Sequence, residues 1–313
     1  MLKHSIPLLS SLMLSAASAG SAGASPSSIH AEIGYIEVAP DITLRRMVAH
    51  SAAPKGTVLF LHGFPETLLV WKDIANALAR DYEVHAIDWP GYGMSSRPAV
   101  ATFSYSPRDY ADILRAYIKS AHVDRSRLTI YATDIGSLPA LLAAIEEPDI
   151  AKNIVVGDFA PFNRPEYMYE SLQNLKSEPA ASKTRIHMNG TSAEILASAY
   201  RRGLPPEEQF DLPAEVLKDM TEGWGHGDIT SADAFYHYYS HFTRDQDYLE
   251  AHLGELKTPV KVVWGEKDLY IKKEMGEEFA RRTGAPMTVL PGIGHYPHLQ
   301  KPQNIVAEIR AAK

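Results

Sequence analysis

The sequence contains no cysteine. That single absence excludes disulfides, a thiol nucleophile and cysteine-based zinc sites, and it leaves the chain indifferent to an oxidising compartment. Positive charge is in short supply as well. There are 31 lysines and arginines against 38 aspartates and glutamates, for a formal net charge of −7, and no basic stripe, so nucleic acid is not an expected partner. Long apolar runs are missing too. Ile6–Leu14 is mostly apolar but too short to cross a bilayer as a helix, and no other stretch qualifies as a membrane span. Internal repeats are also absent.

What is present begins with a leader-like amino terminus. Lys3 and His4 precede the apolar run, and Ala17-Ser18-Ala19 and Ala22-Gly23-Ala24 offer small-residue cleavage sites. Residues 1–24 are therefore expected to be a signal peptide, with the mature protein exported to the periplasm or secreted. No cysteine near Ala19–Ser25 supports a lipid anchor.

The chain of 313 residues is long enough for one large domain or a domain with a sizeable insertion. Ile36–Val38 and Thr43–His50 read as a leading hairpin turning at Pro40-Asp41. Strand and helix patterns then alternate: Thr57–Leu61, a helix carrying Trp71, Ile74 and Leu78, Glu83–Asp88, an amphipathic Ser106–Ala121, Leu128–Ala132, and Asn153–Gly157. Such alternation predicts an α/β fold, a mostly parallel sheet with helices on both faces. It breaks near Pro161, where a helical, aromatic-rich stretch begins, with loop signals at Met188–Gly190 and Gly203–Pro206. Alternation resumes with Val260–Trp264 and Met287–Leu290 and closes with a helix from Pro302. The expected organisation is a core of residues 28–160 and 254–313 interrupted by a helical cap, residues 161–253.

The most informative stretch is Tyr131–Ala140. An apolar strand feeds Asp134, a helix pattern of Leu138, Leu141, Leu142 and Ile145 leaves it, and Ala132 and Gly136 flank it. A reacting residue on a sharp strand-to-helix bend needs small flanking residues, because the backbones approach closely. A carboxylate there can attack carbon and leave an ester. Taken alone, Asp134 could simply cap the following helix. But His62–Glu66, Asp134, Gly265-Glu266-Lys267-Asp268 and Gly292-Ile293-Gly294-His295 all fall where parallel strands end, and reactive groups gather there.

With these residues in place, the chain resembles the α/β-hydrolases, and within them the epoxide hydrolase and dehalogenase branch with an aspartate nucleophile. His62-Gly63-Phe64-Pro65-Glu66 looks like the oxyanion loop of epoxide hydrolases, and Asp88–Ser95 is similar to the family's Asp-x-x-Gly-x-Gly-x-Ser stretch. The resemblance implies Asp134 as nucleophile, His295 as base and Asp268 as the acid behind it. Asp158 is a rival for the last role. Backbone N–H groups of Phe64 and Ile135 are the implied oxyanion donors. Ile135 stands where haloalkane dehalogenases generally have tryptophan and fluoroacetate dehalogenases arginine, which favours an epoxide substrate. Epoxide hydrolases use cap proton donors, two tyrosines or a histidine and a tyrosine. Here Tyr239 and His187 match best, with Tyr238, Tyr167, Tyr169 and Tyr200 as alternatives. Ser137 and Ser95 are poorly placed for a serine esterase. The expected activity is hydrolysis of a small-molecule epoxide to a diol without metal or cofactor. The alternatives are a haloalkane or haloacid dehalogenase, or a non-catalytic binding protein on this fold.

Overall fold

The structure is a computed structural model, and it describes residue 1 and residues 31–311. The expected leader, apart from Met1, lies outside the described residues. Eight strands form one sheet: β1 (Glu32–Ala39), β2 (Ile42–Ala49), β3 (Thr57–Leu61), β4 (Glu83–Ile87), β5 (Leu128–Thr133), β6 (Asn153–Gly157), β7 (Val260–Gly265) and β8 (Met287–Leu290). Their spatial order is β1-β2-β4-β3-β5-β6-β7-β8. The leading hairpin and its edge on β4 pair antiparallel, and every other pair is parallel. The central strands are continuous apolar runs because helices cover both of their faces. Val58–Leu61 and Ile154–Gly157 are buried throughout. Edge strand β1 alternates instead, and leaves Ile33 and Tyr35 exposed.

Helices follow the strands as the alternation predicts: α1 (Lys72–Leu78), α2 (Pro107–Ser120) and α3 (Ser137–Glu146). Ser106 sets the start of α2 by accepting a hydrogen bond from Asp109 N, with Pro107 at the first helical position. Between β6 and β7 the chain runs through α4 (Glu170–Asn174), α5 (Ala180–Gly190), α6 (Ser192–Ser198), α7 (Ala214–Trp224) and α8 (Ser231–His252). The sequence marks Met188–Gly190 as a loop. Instead it is the last turn of α5, closed when Thr191 N donates to His187 O, and the break falls at Thr191. After β7 come α9 (Lys273–Thr283), α10 (Pro297–Gln300) and α11 (Pro302–Ala311). Among the described residues, no helix is long and apolar enough to cross a membrane.

The inserted helices are tied to the sheet by charge. Arg45 on β2 is buried. Its Nε donates to Asp88, and its two terminal nitrogens donate to Asp219 of α7 at 2.7 and 2.6 Å. Thr67 also donates to Asp219. A guanidinium held by two carboxylates in a fork geometry is a strong, directional contact. The first cap segment is fastened separately: Met168 pairs antiparallel with Ile271, and Tyr169 N donates to Tyr270 O at 2.8 Å.

Candidate active site

Asp134 leaves β5 in a left-handed backbone conformation, φ 48°. That conformation is disfavoured for a residue with a Cβ and is tolerated best by aspartate and asparagine, so it marks a bend held by its surroundings. Those surroundings leave no slack. A Cβ on Gly63 would lie 2.6 Å from the Asp134 Cβ, and one on Gly136 would lie 3.0 Å from the Leu61 Cβ. The close approach puts Phe64 N 2.7 Å from Asp134 Oδ1, donating to it. Ile135 is buried on the same turn, and its carbonyl accepts the Tyr238 hydroxyl at 3.1 Å. Of the two expected backbone donors, Phe64 is the one in contact with the Asp134 carboxylate.

The loops after β7 and β8 bring in the other two groups. Asp268 is buried, and its Oδ1 accepts from Tyr270 N and Ile271 N, which fixes the carboxylate plane. Its Oδ2 lies 2.7 Å from His295 Nδ1. His295 Nε2 then faces Asp134 Oδ2 at 3.5 Å. Burial pulls the His295 imidazole down, but the carboxylates of Asp268 and Asp134 outweigh it and hold the ring well above its ordinary value. The two neighbouring carboxylates thus favour the protonated ring.

Asp158 follows β6, also at positive φ, and is fully buried. Its Oδ1 accepts from Gly265 N at 2.9 Å, while Oδ2 has no hydrogen-bond partner. Burial, and then the neighbouring Asp268, push its carboxyl well above the usual range. Ligand atoms of Asp158, Asp268 and His295 lie within 4.8 Å of one another. As a metal site the set fits poorly. The Asp268–His295 pair already spends its facing atoms on each other, and burial favours the protonated form of Asp158 over the charged form a metal would take. The arrangement is that of a proton-sharing cluster.

Sequence reasoning missed how the oxyanion loop is held. Glu66, at the end of His62–Glu66, is buried. Its Oε2 accepts from Gly63 N at 2.9 Å, and its Oε1 lies 2.6 Å from His298 Nε2. The His298 ring stacks on Trp71 at 4.3 Å. Tyr296 donates its hydroxyl to Phe64 O at 3.0 Å. The loop that carries His295 therefore also clamps the Phe64 loop. The available signal was a second histidine three residues after His295.

Above Asp134 lies a cavity of about 320 Å³. His187 lines it together with Asp134 and His295. Tyr239 does not. With Tyr238, Ile135 and Asp134 it borders a smaller space on the other side of the nucleophile. The Tyr238 hydroxyl is occupied by Ile135 O, whereas the Tyr239 hydroxyl has no hydrogen-bond partner among the described residues. Burial, and then Asp134, keep the Tyr239 phenol well above its usual value, so it retains a proton to donate. Of the other tyrosines, Tyr169 lines the main cavity, Tyr200 directs its hydroxyl at Met220 Sδ, and Tyr167 borders neither space. Ser137 Oγ donates to Ala132 O, and Ser95 Oγ donates to Asp88 O, so both hydroxyls serve the backbone.

Known proteins share this arrangement of strands. The 2-(acetamidomethylene)succinate hydrolase of Mesorhizobium japonicum is 24% identical over 247 residues, 79% of this chain and 84% of that protein. Epoxide hydrolase 3 of Xenopus tropicalis is 24% identical over 304 residues, 91% and 78% of the two chains. The crystal structure of epoxide hydrolase VrEH1 from Vigna radiata superposes with a TM-score of 0.70 at 21% identity, covering 91% of this chain and 98% of that one. A family model described as alpha/beta hydrolase fold matches residues 56–302. That match takes in most of the chain, from β3 to the start of α11, and the protein belongs to the alpha/beta hydrolase fold family, a family of hydrolases.

Proposed function

We propose that this hydrolase opens an epoxide to a vicinal diol through an ester on Asp134. One observation carries the reading: a carboxylate, not a hydroxyl, occupies the strained bend, with Oδ1 on the Phe64 N–H and Oδ2 facing His295. In the first step Oδ2 bonds to a ring carbon, and the ring C–O bond breaks with its electron pair going to oxygen. That oxygen takes a proton from Tyr239 or His187. The charge on Asp134 disappears with the ester, and with it one of the two carboxylates that hold the His295 imidazolium. The ring then gives up its proton, which returns through solvent to the cap donor that lost one, and the neutral ring can accept a proton from water. Water adds to the ester carbonyl, and the carbonyl oxygen takes up negative charge against Phe64 N–H. The acyl C–O bond breaks, the diol leaves with the proton from His295, and the Asp134 carboxyl so formed passes its proton to the His295 ring, which restores the starting carboxylate. Asp268 keeps Nδ1 protonated and Nε2 aimed at the ester throughout.

The test is a panel of small epoxides and haloalkanes given to the wild type, Asp134→Ala and His295→Gln. Epoxide opening should vanish in the first variant. In the second, mass spectrometry should find the peptide carrying Asp134 trapped as an adduct. In heavy-oxygen water, one turnover should label Asp134 and not the diol. Label in the diol would mean direct attack by water. Halide release with every epoxide untouched would replace this reading by a dehalogenase. Binding without turnover of any member would point to a non-catalytic protein.

A further inference from the structure

We propose that Arg202 makes the cavity selective for epoxides that carry a carboxylate at the end of a short apolar chain. The proposal rests on the epoxide reading above. Arg202 is the single lysine or arginine among the described residues lining the cavity. It is the residue immediately after the short helix that ends at Arg201, and its charge is not spent elsewhere. Arg201 beside it pairs with Asp211, whereas Arg202 has no carboxylate partner among the described residues. Instead its guanidinium lies over two rings, 4.8 Å from the centre of Tyr169 and 5.3 Å from that of Tyr270. The two rings stand edge to face with their centres 5.9 Å apart, so they support the guanidinium from one side and leave its remaining N–H groups to bind.

The position of Arg202 relative to the reacting atoms is fixed. The Tyr270 hydroxyl donates to Ala199 O, and Tyr270 N donates to Asp268 Oδ1. The Tyr270 ring centre lies 5.0 Å from that of His295. One tyrosine thus spans the distance from the cation to the catalytic base. The cavity lining includes the apolar Leu172, Leu175, Met188, Ile195 and Phe235 beside a few polar side chains such as Thr184 and Ser198. A bound acid would therefore lay its chain along those apolar side chains, its carboxylate on Arg202 and its ring at Asp134. Charge also sets the orientation. A carboxylate turned the other way would meet the Asp134 carboxylate, which repels it, so the same pair of groups attracts one pose and rejects its reverse. Arg202 is exposed at the mouth, so water and salt screen this contact, and its effect on affinity is moderate.

The experiment compares an ω-epoxy carboxylic acid with its primary amide in the wild type, Arg202→Gln and Arg202→Lys. The wild type should show a KM for the acid about three- to tenfold below that for the amide. The ratio should fall to about one in Arg202→Gln, partly return in Arg202→Lys, and shrink as salt rises, with kcat for the acid moving less than KM. Equal KM values in the wild type, or a preference for the acid that survives in Arg202→Gln, would overturn the assignment and leave Arg202 as a stacking residue. If no epoxide is turned over at all, the reaction assigned to Asp134 fails instead. Arg202 is then judged by calorimetry with the saturated acid of the same length and its amide. Tighter binding of the acid, lost in Arg202→Gln, supports it, and equal binding of the two overturns it.

Discussion

Asp268 Oδ2 lies 2.7 Å from His295 Nδ1, and the other oxygen of the same carboxylate is held by two backbone N–H groups. Asp158, on the neighbouring strand end, turns Oδ1 to Gly265 N and leaves Oδ2 without a partner. Replacing Asp268 by Asn should free the imidazole to take the wrong tautomer and cost about four powers of ten in turnover. Asp158→Asn, at a carboxyl that burial pushes towards its neutral form, should cost far less. Steady-state rates of the two variants decide it, and a larger loss in Asp158→Asn would make Asp158 the supporting acid.

Tyr239 and Tyr238 are adjacent, but only one has a hydroxyl to spare. Tyr239→Phe should slow formation of the Asp134 ester by about two to three powers of ten while its hydrolysis changes less, since that step depends on His295. Tyr238→Phe should act on the nucleophile turn, through the lost bond to Ile135 O, and lower stability by about 1 kcal/mol. Stopped-flow tryptophan fluorescence separates the two chemical steps. Ester formation unchanged in Tyr239→Phe would pass the donor role to His187, which lines the cavity with Asp134.

The raised His295 also sets a pH dependence of stability. The folded protein holds a proton on this ring that the unfolded chain releases at its ordinary value, so the native state binds more protons in between. Stability from this source is fully present below about pH 6.5 and is lost as pH rises through the folded value. Denaturant unfolding should therefore show wild-type stability falling as pH rises above about 6.5, with a flatter profile in His295→Gln. Parallel profiles would contradict the charged resting state. Asp158 adds a slope of the same sign starting lower, from about pH 4, and Asp158→Asn should remove that part.

Glu66 serves two partners at once. Glu66→Ala leaves both the Gly63 N–H and the His298 ring unpaired in a buried place and should lower stability by about 3 kcal/mol, with Glu66→Gln costing less because it keeps the shape and one acceptor. The Phe64 N–H then loses its fixed position, and hydrolysis of the ester should slow by as much as about a hundredfold. Thermal melts and single-turnover rates check the two effects. Ester hydrolysis at the wild-type rate in Glu66→Ala would show that the Phe64 loop holds itself.

How much of this was legible depended on distance along the chain. The reacting bend was readable because everything that defines it, the strand, Asp134, the small neighbours and the helix, lies within one stretch. The sheet was readable because buried parallel strands are unbroken apolar runs. Glu66 and His298 are 232 residues apart, and Arg45 and Asp219 are 174 apart, so no local pattern announces either pair. Which acid reaches His295 depends on a hydrogen-bond direction at a strand end, and two neighbouring strands each supply an aspartate. The cap tyrosines posed a milder difficulty: the resemblance favoured Tyr239 over its neighbour on the same helix, and the contact of Tyr238 with Ile135 O is what the sequence could not show.

Raising the cap off the sheet would part Asp219 from both Arg45 and Thr67 and peel Met168 from Ile271 in the same movement. Those contacts lie at two separate places in the insertion, so lifting the whole roof must break both. Substrate is therefore expected to enter beside Arg202, on the exposed side of the cavity lining, with the roof in place. The lack of cysteine makes this easy to check. One cysteine introduced in α7 and one facing it on the core would be the only thiols, and cross-linking them should leave turnover as it was. Turnover that stops on cross-linking and returns on reduction would show that the roof lifts. A product that backs out along the path the substrate took competes with incoming epoxide for the same passage, so the diol should inhibit competitively.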